Sequence, residues 1–185
     1  MQGLGARLFQ DIPPELMREM MEKNSSLRGY IQGYAAEEFL MKQLRQDPDF
    51  TEVAKIPDQA SQKGDISCLY KQKPLTIEVK SILATSRREE ILEGGFSGVV
   101  LVRKTDRGPD TEFEVGTSHL KPGQFDILAI STYGITGEWG YYFMANKYLP
   151  RVSGNPNKIK TSMRVNVTTT PFLYADIYKA IEDLS

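Results

Sequence analysis

Asp65, Glu78 and Lys80 are the residues whose types and spacing suggest chemistry. They fall in two runs, Lys63-Gly64-Asp65-Ile66-Ser67-Cys68-Leu69-Tyr70 and Leu75-Thr76-Ile77-Glu78-Val79-Lys80-Ser81. Both runs alternate. Ile66, Cys68 and Tyr70 form one apolar row and Leu75, Ile77 and Val79 another, which is the period of a half-buried strand. Lys71-Gln72-Lys73-Pro74 lies between them, polar and ending in a residue with no N–H for a ladder. The pattern predicts a β-hairpin. Pairing Lys71 with Pro74 centres the turn between Gln72 and Lys73, and sets Lys80 opposite Asp65 and Glu78 opposite Ser67. Side-chain direction has a period of two, so Asp65, Glu78 and Lys80 share the face opposite the apolar rows.

Two carboxylates beside an ammonium, with no His, suit phosphodiester hydrolysis assisted by Mg²⁺. That ion takes oxygen ligands, usually one or two carboxylates completed by water and substrate phosphate. It lowers the pKa of bound water and offsets charge developing on phosphate. Asp65 and Glu78 are then the expected metal ligands, and Lys80 the fixed positive charge. Glu37 is a further carboxylate, for a second ion or a metal-bound water. It sits in a helical stripe with Tyr30, Tyr34, Met41 and Leu44, spaced by four, three, four and three. Gly33, one turn earlier, leaves room for a close approach of backbone or ligand.

Positioning these groups requires the following elements. Pro13-Pro14 opens a first helix, Asn24-Ser25-Ser26 breaks and caps, and a second helix runs over 27–46. A strand over 50–56 precedes the hairpin. A helix over 82–92, with Arg87, Arg88, Glu89 and Glu90 on its polar side, stops at Gly94-Gly95. Strands follow at 96–102, 125–131, 139–144 and 163–168, the middle two joined by a Gly-containing turn. Thr170 before Pro171 caps a last helix with Leu173, Ile177, Ala180, Ile181 and Leu184 as its core stripe. Strands and helices mixed in this order predict an α/β domain spanning 1–185.

Scarcity excludes other chemistry. One His and one Cys cannot build a Cys/His zinc site from this chain alone. His119 lies near Gly116 and Gly123 with no nucleophile elbow around it, and reads as a loop residue. There is no Walker loop and no G-x-G-x-x-G after a strand. The single Cys68, the lack of a signal peptide and the lack of a membrane-length apolar run predict a cytoplasmic protein.

Charge is informative only locally. The net charge is −1, less basic than expected of a protein that coats DNA. Yet Lys147, Arg151, Lys158, Lys160 and Arg164 fall in a stretch without an acidic residue. With Lys63, Arg87 and Arg88 they are the expected phosphate contacts around an acidic site. Arg103, Lys104 and Arg107 form a further basic group. Tyr133, Tyr141 and Tyr142 are either base-stacking or core residues.

The constellation resembles the PD-(D/E)XK nuclease superfamily. The matching residues are Gly33-x-x-x-Glu37 in a helix, Gly64-Asp65-Ile66 opening a strand and Ile77-Glu78-Val79-Lys80 in the next, within residues 27–102. Gly64 stands where the family has its signature Pro. A literal Pro57-Asp58 makes Asp58 the rival of Asp65. Asp126 reads as a strand-start residue outside the site. The resemblance implies a restriction-endonuclease-like fold, a central mixed β-sheet flanked by helices, with 27–102 as the catalytic core. Residues 103–185 would add sheet, recognition elements and the last helix. It implies DNA as substrate, Mg²⁺ as cofactor with Mn²⁺ able to substitute, and Glu37, Asp65, Glu78 and Lys80 as the site. A restriction or defence endonuclease is expected, acting as a homodimer or with a recognition subunit. A Holliday-junction resolvase-like or repair nuclease, and a non-catalytic nucleic-acid-binding module, are the alternatives.

Overall fold

The computed structural model describes residues 12–57, 60, 64–84, 96–102 and 119–184. The chain forms two compact units that divide after Ala35.

The first unit holds α1 (Pro14–Lys23) and the first turns of α2 (Ser25–Gln46). Proline at the first helical position has no N–H to lose there. The Asn24 side chain separates the helices by accepting the Leu27 N–H at 3.0 Å. α1 buries none of its residues, and Leu16 and Met20 are exposed. Tyr30 and Tyr34 are also exposed, so the expected stripe is buried only at Met41 and Leu44. Gly33 has no atom within 4 Å of where a Cβ would stand. The close approach expected there is not made by this chain's described residues.

The second unit is α/β, with a seven-stranded mixed sheet and helices packed on it. Its strands are β1 (Phe50–Lys55), β2 (Ile66–Tyr70), β3 (Lys73–Ala84), β4 (Ser97–Leu101), β5 (Ile127–Ser131), β6 (Tyr141–Ala145) and β9 (Ser162–Asn166). A separate hairpin comprises β7 (Arg151–Val152) and β8 (Asn155–Ile159). The sheet runs β1-β2-β3-β4-β9, with β5 pairing β3 and β6. Among the described residues, only the β3–β5 pair of this sheet is parallel. All five β5 residues are buried, which explains why that strand reads as a continuous apolar run. One core cluster joins Ala36, Leu40, Met41 and Leu44 of α2 to Ile66, Cys68, Leu75, Ile77 and Val79. A second joins Ile82, Val100, Leu128, Ile130 and Val165. Among the described residues, no helix is long and apolar enough to cross a membrane.

The hairpin forms with a different register. Tyr70 pairs with Lys73 and Ile66 with Ile77. The turn is therefore Lys71-Gln72, with φ of +46° and +67°, the left-handed pair of a type I′ turn. Moving a turn by one residue changes each partner by two positions, which keeps every side chain on its face. Both expected apolar rows are accordingly in the core, Tyr70 partly buried at its edge. Cys68 is 4% exposed; burial, reinforced by the Asp126 charge, pushes its thiol up to about 11. A thiol reagent at pH 8 is therefore expected to modify Cys68 only as the protein unfolds. Complete reaction within seconds in native buffer would contradict the buried pairing.

Three local expectations are corrected. Ile82–Ala84 belong to β3 because they pair with β4, Ile82 facing Val100. The remainder of the expected 82–92 helix lies outside the described residues. The 132–137 connection contains a one-turn helix, α3 (Tyr133–Thr136), ended by Gly137 at φ +75°. The last helix, α4 (Ile177–Glu182), starts at Asp176, whose carboxylate accepts the Tyr178 N–H at 2.9 Å. Thr170 instead takes the Asn166 N–H on its hydroxyl.

Candidate active site

β3 changes partners along its length. It is antiparallel to β2 over Lys73–Ile77 and parallel to β5 over Ile77–Ser81. The β2 ladder stops at Ile66↔Ile77, so the next N–H on that edge, at Val79, needs another acceptor. The Asp65 carboxylate supplies it at 2.7 Å. Asp65 also donates its own N–H to Ile77 O at 2.8 Å and accepts from the Ile56 N–H at 2.9 Å. It thus ties three segments together where β2 and β3 part. Gly64 precedes it at φ +100°. Proline, fixed near −65°, cannot adopt that conformation, so glycine is required where the resembling family has Pro.

Lys80 lies beyond this fork. Its Nζ is 2.6 Å from Glu78 Oε1 and 3.5 Å from Asp65 Oδ2. Those two oxygens are therefore within about 6 Å of each other. Glu78 is 6% exposed. Glu78 and Lys80 pair along β5 with Leu128 and Ile130, both buried. Burial works against the ammonium, but Glu78 and Asp65 outweigh it and raise the Lys80 pKa. Buried ion pairs contribute little net stability, about break-even against apolar side chains.

Glu37 projects from α2 beside Ala36 and is ion-paired with Lys55 of β1. Burial raises its pKa to about 6; the Lys55 hydrogen bond opposes this and the Asp65 charge adds to it. The structure therefore sets Glu37 near Asp65 but against its own lysine. Sequence reasoning missed Lys55. Its signal was position: β1 neighbours β2, and Lys55 pairs with Ile66, next to Asp65.

A pH dependence follows. Glu37 has a folded pKa near 6 against a reference of 4.5, so the folded state binds the proton more tightly. Its contribution to stability is fully present below pH 4.5 and lost as pH rises through 6. Glu37→Gln lacks this loss. Its unfolding free energy should move in its favour relative to wild type by about 2 kcal/mol between pH 4 and 7.5. The Lys55 ion pair forms only with ionised Glu37 and is already contained in that pKa. Denaturant melts of metal-free protein measure it, and a pH-independent difference would refute it.

The other expected residues fall in different settings. Lys147, Lys160 and Arg164 are exposed and Lys158 is half-buried. Arg151 is half-buried, donates to Asn146 O at 3.1 Å and has a buried Nη1. Lys63, Arg87, Arg88 and the rival Asp58 lie outside the described residues. Asp126 clamps β3, accepting from both the Thr76 N–H and hydroxyl at 2.7 Å. His119 Nδ1 is 2.8 Å from Ile159 O in β8. The Tyr141 hydroxyl donates to Ala36 O at 2.6 Å in the core. Tyr142 is partly buried, edge-on to Phe96.

No group of three or more His, Cys, Asp or Glu side chains is arranged around a metal position among the described residues. The donor set nevertheless fits a magnesium ion held by two carboxylates and water. Asp65 and Glu78 already point oxygens at one cation, the Lys80 ammonium. Glu37 holds Lys55 through Oε2.

No protein-family model matches this sequence, and no curated protein matches it. A solved structure similar to this one is the bacterial homing endonuclease I-Ssp6803I. The likeness covers 74% of this chain and 76% of that chain, with 13% identity and a TM-score of 0.48.

Proposed function

We propose that this chain is a metal-dependent endonuclease that hydrolyses DNA phosphodiester bonds, a PD-(D/E)XK-type enzyme of restriction or defence. One observation supports this above others: Asp65 and Glu78 converge on Lys80 where β2 and β3 part. Asp65 and Glu78 would hold Mg²⁺, or Mn²⁺ in its place, which supplies a low-pKa water and a Lewis acid at the phosphate. Asp65 is held for this by the Val79 N–H. The Lys80 ammonium stands as a fixed positive charge that orients the attacking water and offsets charge on the phosphate. Lys147, Lys160 and Arg164 offer exposed cations for neighbouring phosphates. One such site cuts one strand, so a two-fold dimer, or pairing with a recognition subunit, would complete a double-strand cut. The free thiol at Cys68 suits a cytoplasmic setting.

Digestion of a long defined DNA with the full chain tests this. Discrete fragments that require Mg²⁺ or Mn²⁺ and vanish with chelator are expected. Intact plasmid, single strands and four-way junctions with either ion would overturn it.

A further inference from the structure

The β7–β8 hairpin forms a sheet of its own and has no part in the proposed chemistry. Arg151 pairs with Ile159 and Val152 with Asn155. β7 advances one residue (151 to 152) while β8 advances four (155 to 159), so Pro156, Asn157 and Lys158 bulge from the ladder. Proline suits that place because it has no N–H to pair. The Asn155 side chain holds the bulge by accepting the Asn157 N–H at 3.2 Å. Asn157 is exposed, as are Ser153, Gly154 and Pro156.

Packing sets this ribbon on the sheet face that carries the charged cluster. Paired residues of neighbouring strands point to one face. Glu78 pairs with Leu128 and Leu128 with Met144, while Lys80 pairs with Ile130 and Ile130 with Tyr142. Leu128, Ile130 and Met144 share a core cluster with Leu149 and Ile159, which root the ribbon. Ile159 is fully buried, and its N–H reaches Leu120 O at 2.9 Å. Glu78 stands two strands from Met144, about 10 Å at the usual strand spacing. β6 leads from Met144 through a 3-10 turn, Asn146–Tyr148, into the ribbon.

Charge and surface chemistry select the occupant. From Trp139 to Ala175 the chain has no acidic residue, and its charges are Lys147, Arg151, Lys158, Lys160 and Arg164. Arg164 lies on the other sheet face, in the row Leu83–Val99–Arg164. That row alternates with Ile82–Val100–Met163, which packs with Ile159. The 51%-exposed Leu83 therefore also faces away from the ribbon. Phe172, 44% exposed, stacks on Tyr148 at 3.8 Å ahead of the ribbon. Within 151–160 the exposed residues are Ser153, Gly154, Pro156, Asn157 and Lys160, none of them large and apolar. A protein interface or a membrane surface calls for such residues. A polyanion does not. A two-stranded ribbon fits the DNA major groove, about 12 Å wide, where each base pair presents a distinct set of donors and acceptors. An Asn amide matches the edge of adenine there, and lysines hold phosphates.

We infer that the β7–β8 ribbon enters the major groove of duplex DNA, where Asn157 reads a base edge and Lys158 and Lys160 hold flanking phosphates. This rests on the nuclease reading and deepens it. The substrate class narrows to duplex DNA chosen by sequence, and Asn157 is a specificity residue for the site at Asp65, Glu78 and Lys80.

The test uses the full chain in chelator, and again with Ca²⁺, which takes the same oxygen ligands. The probe is a pool of duplexes with a randomised centre, and the bound fraction is sequenced. Wild type is expected to enrich a defined sequence. Asn157→Ala keeps the backbone N–H that Asn155 accepts. It should lower discrimination at one base pair about 5- to 150-fold and leave binding of unselected duplex unchanged. Lys160→Ala should instead weaken binding of all sequences alike and reduce the salt slope by about one. In the enriched duplex, replacing each purine in turn by its 7-deaza analogue removes a major-groove acceptor and leaves the minor groove intact. Wild-type affinity is expected to fall at the base pair that Asn157→Ala relaxes. No enriched sequence under either condition, equal affinity for every 7-deaza duplex, or tighter binding of single strands overturns the ribbon without needing a variant to fold. Enrichment that Asn157→Ala leaves unchanged overturns it too. Cleavage is measured separately with Mg²⁺ and Mn²⁺. Cleavage without sequence preference sinks the ribbon alone. Sequence preference relaxed by Asn157→Ala, without any cleavage, sinks the nuclease reading and leaves the ribbon standing.

Discussion

If the chain is the proposed nuclease, Asp65→Asn is expected to lower metal-supported DNA cleavage by at least about 100-fold while leaving the thermal midpoint within a few degrees of wild type. The amide oxygen of Asn can still accept the Val79 N–H that Asp65 accepts at 2.7 Å. What disappears is the charge that faces Lys80 and would face a metal. Asp65→Ala removes both functions and leaves the Val79 N–H without its acceptor, an added cost of about 1–3 kcal/mol. Lys80→Met is expected to lose cleavage by about 10²–10³-fold, and stability with it, since Glu78 is 6% exposed and loses its ammonium. Adding Glu78→Gln should return much of that stability and none of the cleavage. That separation of stability from activity distinguishes a site from a structural ion cluster. Wild-type cleavage rates in Asp65→Asn would rule Asp65 out and shift attention to Asp58.

The hairpin and its faces were legible because alternation survives errors in the turn. The expected turn was displaced by one residue, yet Asp65, Glu78 and Lys80 still converge. Parity, not register, carried the information. What local pattern could not reveal is set by distant partners. Ile82 and Leu83 precede a run of Arg and Glu and read as the start of an amphipathic helix, but β4 pairs with them as strand. Asn155-Pro156-Asn157 has no apolar alternation, so β8 was invisible, though it pairs with β7 around Gly154 at φ +76°. Thr170-Pro171 mimics a helix start, whereas Tyr174 forms a bridge to Phe143 before Asp176 caps α4. Within the site, Glu37 was visible from helical spacing. Its partner Lys55 was not, because the pair crosses from β1 to α2.

The β3–β4 contact that overrode the local helix signal also yields the second large effect. Gly98 pairs with Ala84, and a Cβ built there would stand 2.4 Å from Ile82 Cγ1 and 2.6 Å from the Leu83 carbonyl oxygen. Neither atom is the free end of a flexible chain, so a side chain must push β4 off β3. Overpacking of this kind costs about 3 kcal/mol. Gly98→Ala should therefore lower the thermal midpoint by roughly 6–12 °C. The strand that would lose this partner is the one carrying Lys80, two residues before Ile82. Cleavage by the remaining folded protein should fall too, although Gly98 has no chemistry of its own. Gly33→Ala is the contrasting change. It meets nothing within 4 Å inside α2, and alanine is the better helix former by about 1 kcal/mol. That variant should be at least as stable as wild type. If Gly98→Ala melted no lower than Gly33→Ala, the β3–β4 pairing, and with it the strand path that places Lys80, would be wrong.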